Sequence, residues 1–322
     1  MSNRSFVSVI AMAAVMVVSL LTTGPAAGPT SLVSFVGVAA SAQGFGEPRR
    51  SSIERSRAEA SGGGAQALTA AEKTWTPPRT PDGQPDIQGF WVNKSGNNSY
   101  DVEDGFPEFQ NARIPWRRVI VDPPDGKFPY QPWARAQRQE VYDHHADLTK
   151  WEYVDPHTRC FLSGVPRVFW QTEFQIVQPP GYVVILQEFN HGSRVIPLDG
   201  RPHVGKNIEL WMGDSRGRWE GNTLVVEVSN NNDKTWFDLV GDFHSEALRI
   251  VERYTFVDPD TINYEATFED PKVYTRPVKM ALTFVPAVRG AEAKSYELLE
   301  HACLEGELDA PLMLKKLNSS PR

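Results

Sequence analysis

Apolar and polar residues alternate along several stretches of the second half of the chain. In Leu248–Phe256 one face carries Leu, Ile, Glu, Tyr and Phe, while the other carries Arg, Val, Arg and Thr. Ile262–Phe268 and Val278–Phe284 repeat this pattern. A period of two with one wet face is typical of strands in an antiparallel sheet.

Short turn sequences join such stretches in consecutive pairs. Residues 179–181, 220–222 and 258–260 combine Pro, Gly, Asn or Asp between two strand-like runs. The predicted strands are Phe174–Gln178, Tyr182–Phe189, Ser193–Pro197, Arg218–Trp219, Thr223–Val228, Leu248–Phe256, Thr261–Phe268, Val278–Val285 and Ser295–Cys303. Consecutive hairpins without long helices predict an up-and-down antiparallel sheet. About eight to ten such strands close into a barrel or pack as two sheets, because an open sheet exposes an edge. The predicted fold is therefore mainly β, an antiparallel up-and-down barrel.

A long insertion separates the first strand, at residues 85–92, from the first clear hairpin. Residues 93–131 are rich in Asn, Gly, Pro and Asp, and they predict loops with one short strand at Arg117–Val121. Residues 132–148 contain strong helix formers behind Pro132 and predict one helix. Its apolar face is thin, which places it on the surface.

The N-terminus predicts export. Residues 6–21 form an uncharged, mostly apolar run behind Arg4, and Ala40-Ser41-Ala42 is a small-x-small cleavage pattern. Residues 1–42 are therefore predicted to be a signal peptide, residues 43–79 a disordered tether, 80–306 a single domain and 307–322 a tail. An uncleaved anchor is the alternative, although the run is slightly shorter than the roughly 20 residues of a spanning helix. We expect a periplasmic or secreted protein without a membrane span after signal cleavage.

The net charge limits the class of binding partner, and the cysteine content bears on a disulfide. The chain has 33 basic and 40 acidic residues and a net charge of −7, which argues against a nucleic acid partner. A small-molecule ligand or substrate is expected instead. In an exported protein the two cysteines, Cys160 and Cys303, suggest one disulfide, and two buried free thiols are the alternative.

The familiar catalytic motifs are missing, so histidines become the first candidates for chemistry. The sequence has no G-x-S-x-G, H-E-x-x-H, P-loop or C-x-x-C, and no motif requires a cofactor. His191, His203 and His244 each follow a predicted strand in a turn with charged neighbours. Three such imidazoles could hold a transition metal, one could act as general acid or base, or each could simply cap its turn.

Glu252 lies between Ile250 and Tyr254 on the apolar face of its strand. A carboxylate facing a barrel interior needs a partner, for which Arg194 and Arg218 are the candidates. The result is either a structural ion pair or a general base with a raised pKa.

Two polar segments containing Trp supply the remaining candidates. Asp214, Arg218 and Trp219 surround a predicted tight turn and would lie at the barrel rim. Residues 233–238, which contain Trp236, form a polar-aromatic loop predicted to act as a lid.

Two resemblances accompany these patterns. Gly89-Phe90-Trp91, at the start of the first strand, resembles the G-x-W signature of the lipocalin (calycin) superfamily, in which the Trp closes one end of the barrel. The strings PDGQPDIQGFW, DPHTRCFLSGVPR, GRWEGNTLVVE and HSEALRIVERY resemble a large group of exported soil-bacterial proteins with no settled activity. That resemblance implies a fold and an exported location, but no catalytic or binding activity.

Two functions stay open at this point. In the first, an exported β-barrel binds a partly apolar small molecule, with contacts from Trp91, Arg194, His203, Arg218, Trp219 and Trp236. In the second, the same cavity holds a hydratase-, isomerase- or hydrolase-type site. Acid–base chemistry there would fall to His191, His244, Glu252 and Asp214.

Overall fold

The alternating stretches form the strands of one antiparallel sheet. The computed structural model describes residues 75–95, 99–105, 117–145, 147, 150–170, 173–190, 192–299 and 301. Within these ranges the strands are β1 (Gly89–Asn93), β2 (Ile120–Asp122), β3 (Phe174–Val177), β4 (Tyr182–Gln187), β5 (Ser193–Pro197), β6 (Asp214–Glu220), β7 (Thr223–Ser229), β8 (Arg249–Asp258), β9 (Thr261–Glu269) and β10 (Val278–Pro286).

Nine of these strands make a nearly closed barrel, which confirms the predicted fold class. Starting from β1, the neighbours are β3, β4 and β5 in one direction and β10, β9, β8, β7 and β6 in the other, so the barrel is an up-and-down meander. The short β2 pairs with β10 outside this path.

The odd number of strands explains why closure is incomplete. Each hydrogen-bonded pair around the barrel is antiparallel, so β5 and β6, at the two ends of the path, run in the same direction. A parallel pair needs a long connection, and residues 198–213 supply it. Gly217 lets the two strands approach, because a Cβ there would lie 2.8 Å from Ile196 and 2.7 Å from Leu198. We call the contact between β5 and β6 the seam.

The two ends of the barrel differ. At one end, the turn end, the tight hairpins 178–181, 221–222 and 259–260 join neighbouring strands. At the other, the loop end, lie the longer segments 188–192, 230–248 and 270–277 together with the chain that enters β3. Irregular segments on a rigid scaffold are where binding residues usually collect, so the loop end is the place to look for a site.

Aromatic side chains fill the barrel from both ends. A 3₁₀-helix, Arg167–Phe169, leads into β3 and places the Phe169 ring in the interior. The ring centroid lies 4.9 Å from that of Phe174, 5.4 Å from Tyr264 and 5.0 Å from Phe284. The centre of the barrel is thus a packed aromatic core.

Trp91 packs in the interior near the turn end. Its side chain is buried, its Nε1 donates a hydrogen bond to the Ile87 carbonyl at 3.0 Å, and its ring meets Phe256 edge-on at 6.0 Å. Trp91 is thus separated from Arg194, His203 and Trp236, the predicted ligand contacts at the loop end, whereas Trp219 lies near the turn end. The G-x-W resemblance stays a prediction.

The predicted helix is present and is shorter than expected. Helix α1 (Pro132–His144) begins with Pro132 at its first turn and buries Ala134, Arg138 and Val141. The predicted short strand appears as β2. The predicted strand Ser295–Cys303 is wrong in its described part, because residues 290–295 form a 3₁₀-helix and 296–299 join no ladder.

Several predictions fall outside the described residues. These are the signal peptide, nearly all of the tether, the tail, His191 and Cys303. Cys160 is not a free thiol, and its bridge to Cys303 stays a prediction. Among the helices that are described, none combines the length and the apolar composition that crossing a bilayer requires.

Candidate functional site at the loop end

Glu252 lies inside the barrel and pairs with an arginine from across the seam. Its side chain is 0% exposed. The guanidinium of Arg194 on β5 donates hydrogen bonds to both carboxylate oxygens, with Nη1 2.9 Å from Oε1. Tyr254 and Tyr264 donate their hydroxyls to the same Oε1 at 2.8 and 3.0 Å. Arg194 also donates from Nε to Ser215 on β6 at 2.9 Å, which ties the two seam strands together.

Electrostatics identify this group as a structural ion pair. Burial alone would lower the pKa of Arg194, but the attraction of Glu252, its hydrogen bond and the attraction of Tyr254 and Tyr264 together outweigh burial and raise that pKa. Burial, followed by the charge of Glu252, raises the pKa values of Tyr254 and Tyr264 well above their usual range. Arg194, Tyr254 and Tyr264 therefore keep fixed protonation states near neutral pH, and the Glu252 carboxylate is saturated by their hydrogen bonds, which suits a scaffold better than proton transfer.

Arg218, the other predicted partner of Glu252, faces the opposite side of the sheet. It is exposed and pairs with Glu227 at 2.6 Å and with Glu220 at 3.0 Å. Side chains on successive strand residues alternate between faces, and the register of β6 sends this one outward. The alternative partnership with Arg218 is therefore wrong.

Asp214 and His203 meet at the loop end. His203 Nδ1 lies 2.8 Å from Asp214 Oδ2, and Arg216 Nη1 donates to Asp214 Oδ1 at 2.7 Å. The Val204 amide also donates to Oδ2 at 3.0 Å. Both carboxylate oxygens are thus engaged, and the group anchors the connection 198–213 to the start of β6.

His244 is buried in a different pair. Its Nδ1 lies 2.9 Å from the Ser245 carbonyl, so this nitrogen carries the proton, and Nε2 accepts from the Thr235 hydroxyl at 2.6 Å. Burial lowers the pKa of His244, which keeps the ring neutral. His203 and His244 therefore have separate partners, and their convergence with His191 stays a prediction.

The segment predicted to act as a lid packs against the core. In the segment 233–238, Thr235, Phe237 and Asp238 are buried, and Trp236 packs half-buried against the core. Opening of this segment would expose these side chains, and its action as a lid stays a prediction. Trp219, on β6, is likewise half-buried against the core.

A cluster of buried acids joins this segment to α1. Arg138 donates to Asp242 from Nε at 3.1 Å and lies 3.4 Å from Asp101, while the Tyr130 hydroxyl donates to Asp242 at 2.9 Å. Burial and the neighbouring charge of Asp242 raise the pKa of Asp238 well above its usual range. Asp238 also shares a side-chain hydrogen bond with Asp242, and Arg138 is the cation that lies against Asp242 and Asp101.

Asp101, Asp238 and Asp242 are the described residues that could share a metal ion, since one carboxylate oxygen from each lies within 4.8 Å of the others. The protein already supplies Arg138 and backbone donors to these carboxylates: the Val102 amide donates to Asp238 at 3.0 Å and the Asp242 amide donates to Asp238 at 2.9 Å. These contacts suit a structural network that holds the loop in place.

A carboxyl pair lies where β3 begins and β4 ends. Glu173 is buried, and Glu188 shares a side-chain hydrogen bond with it. The Leu299 amide also donates to the Glu188 carboxyl, so residues 296–299 lie next to the pair. Burial, followed by the hydrogen bond and charge of Glu173, raises the pKa of Glu188 to about 7. Burial and the charges of these two acids raise the pKa of Tyr296 as well.

Glu188→Gln is expected to flatten the pH dependence of stability. The folded pKa of Glu188 is raised from 4.5 to about 7, so its protonated form stabilises the fold fully below pH 4.5, and this contribution is lost as the pH rises through about 7. Urea unfolding between these limits should show a steeper loss for the parent protein than for the variant. Glu297→Gln, at an exposed position in the segment 296–299, is the control. Parallel curves for parent and Glu188→Gln would contradict the assignment.

Exposed aromatic rings form a ledge at the same end. Phe161 stacks on Trp211 with a centroid distance of 4.6 Å and an interplanar angle of 2°. The guanidinium of Arg159 lies 4.2 Å from the ring centroid of Trp151 and 5.5 Å from that of Phe161. Trp151 is 47% and Phe161 38% exposed, although these are large apolar side chains. We call Trp151, Arg159, Phe161 and Trp211 the aromatic ledge.

None of the four ledge residues is among the candidates derived from the sequence. Arg159 and Phe161 lie in the string DPHTRCFLSGVPR, but Trp151 and Trp211 come from elsewhere in the chain. Arg159 and Phe161 on either side of Cys160 were the available signal, and that signal is weak without knowledge of the residues that pack against them. The resemblance to exported soil-bacterial proteins stays a prediction. No family model matches the chain, and no curated protein was found to be similar to it.

Proposed function

We propose that this protein is an exported small-molecule-binding β-barrel that holds partly apolar ligands on its aromatic ledge. The observation that carries the proposal is the exposure of Trp151 and Phe161 beside the stacked Trp211 at the loop end. Exposed aromatic groups of this size are costly in water and are typical of binding surfaces. The predicted signal peptide supports a periplasmic or secreted location.

The packed interior supports the ledge rather than a central cup. Phe169 occupies the barrel centre, and Glu252 inside it is saturated by Arg194, Tyr254 and Tyr264. His244 is buried and holds its own partners on both ring nitrogens. Of the groups considered for acid–base chemistry, Glu252, His244 and Asp214 are thus engaged in the scaffold, while His191 lies outside the described residues. This favours binding over catalysis as the function to test.

Titration with 1-naphthamide, a neutral flat apolar probe, tests this proposal. Binding should change the intrinsic tryptophan fluorescence, and Trp151→Ala or Trp211→Ala should weaken it by roughly tenfold or more, as expected for the loss of one large aromatic contact. Trp133→Ala is the matched control, because Trp133 is 52% exposed and lies on α1 outside the ledge. Equal binding by all three variants would refute a site on the ledge.

A further inference from the structure

We propose that Arg159 makes the aromatic ledge a receptor for organic carboxylates that carry a flat apolar body. This inference rests on the proposed function, because the rings that hold the apolar body are those of the ledge. It adds the charge and the chemical class of the ligand.

Arg159 lacks the acidic partner that other inward-lying arginines have. Within the described ranges no carboxylate forms an ion pair with it, and its side chain makes no hydrogen bond. At five other positions a buried or half-buried arginine forms an ion pair with a carboxylate: Arg135 with Glu103, Arg138 with Asp242, Arg167 with Asp155, Arg194 with Glu252 and Arg216 with Asp214.

Asp155, the acid whose charge acts on Arg159, is already paired with Arg167. Asp155 attracts Arg159 from a distance, but Arg167 donates to both of its oxygens, at 2.8 and 2.6 Å. The His157 backbone amide and the Thr158 hydroxyl also donate to Asp155, at 3.0 and 3.3 Å. Asp155 therefore makes its hydrogen bonds to other groups, and the positive charge of Arg159 has no ion-pair partner among the described residues in a protein of net charge −7.

Partial burial leaves this charge poorly solvated. Arg159 is half-buried, and its Nε is screened from water without a hydrogen-bond partner among the described residues. Burial outweighs the attraction of Asp155 and lowers the pKa of Arg159, although the group stays cationic at neutral pH. A buried donor without a partner costs free energy, and an incoming anion would supply the guanidinium with the counter-charge that it lacks.

The planar shape of the Arg159 guanidinium favours carboxylates among the possible anions. A guanidinium presents a planar fork that matches the two oxygens of a carboxylate, and a charge-assisted pair of this kind is stronger than a neutral hydrogen bond. Here the fork is flanked by the Trp151 and Phe161 rings. A carboxylate on the fork would place an attached flat body against these aromatic faces.

The backbone holds the ledge in position before any ligand arrives. Cys160, between Arg159 and Phe161, adopts a φ of 66°, a left-handed conformation that is uncommon for a residue with a side chain. The Asn190 amide donates to the Phe161 carbonyl at 3.4 Å, and the Arg159 amide bonds to the Asp155 carbonyl at 3.3 Å. Such preorganisation lowers the ordering cost of binding.

Calorimetric titration of the full-length protein with 1-naphthoate and 1-naphthamide tests the inference. The two probes share one apolar body and differ in charge, so the parent protein should prefer naphthoate by roughly tenfold to a hundredfold, the range expected for a charge-assisted pair. Arg159→Gln should abolish this preference while naphthamide still binds. Arg159→Lys should keep part of it, because the charge remains and the fork is lost. Arg249→Gln, at an exposed position on β8, should behave like the parent.

The outcomes separate the two proposals. Equal affinity of the parent for both probes, or a preference that survives Arg159→Gln, would overturn the role of Arg159 and leave the ledge standing. Naphthoate binding that depends on Arg159 but is unchanged in Trp151→Ala and Trp211→Ala would confirm the anion site and refute the ledge. Binding of neither probe would refute both. Inorganic phosphate and acetate are the added probes, and binding as tight as that of naphthoate would show that the apolar body plays no part.

Discussion

Glu252→Gln is expected to lower the free energy of unfolding by about 3–5 kcal/mol, because it leaves the Arg194 guanidinium buried without its counter-charge. The carboxylate is 0% exposed and accepts from Arg194, Tyr254 and Tyr264. A neutral amide replaces one acceptor oxygen by a donor and removes the ionic attraction. Urea unfolding at neutral pH, followed by circular dichroism, measures the loss.

Glu265→Gln is the matched control. Glu265 lies on the neighbouring strand β9 with its side chain 46% exposed, and the substitution there should change stability by no more than about 0.5 kcal/mol. The double variant Arg194→Met with Glu252→Leu should recover much of the loss, because it removes both buried charges. A Glu252→Gln protein as stable as its parent would contradict the ion-pair assignment. Ligand binding on the ledge should survive in any variant that stays folded.

Phe169→Ala is expected to cost about 3–5 kcal/mol, the range for removing a fully buried aromatic side chain. The ring is 0% exposed and lies within 5.4 Å, centroid to centroid, of Phe174, Tyr264 and Phe284. Its loss would leave a cavity that the strands cannot close, because the ladder fixes their spacing. Thermal and urea unfolding provide the measurement.

Phe161→Ala, in the same segment of the chain, is the matched control for the packing argument. Its ring is 38% exposed and stacks on Trp211 at the surface, so its removal should cost about 1 kcal/mol or less. The two variants should also differ in function: Phe161→Ala should weaken naphthamide binding, and Phe169→Ala should not while it remains folded. The reverse order of stabilities would show that the barrel centre is open and the ledge structural.

The sequence by itself determined the local features of this protein. The period of two fixed which residues of β8, β9 and β10 face inward, including Glu252, because successive side chains of a strand alternate between faces whatever the strand pairs with. Turn residues located the hairpins of the turn end for the same reason, since the conformations of Gly, Pro and Asn are local properties. Pro132 likewise marked the start of α1.

Only the tertiary structure decided which groups meet. Arg194 rather than Arg218 neutralises Glu252 because the two seam strands bring β5 beside the interior of β8, a contact between residues remote in sequence. The insertion places Phe169 in the barrel centre and Arg159 on the surface, although both belong to the segment that leads into β3. Burial and charge compensation depend on everything that packs around a residue. The sequence alone therefore does not distinguish a carboxylate with all its partners, like Glu252, from an arginine without a counter-charge, like Arg159.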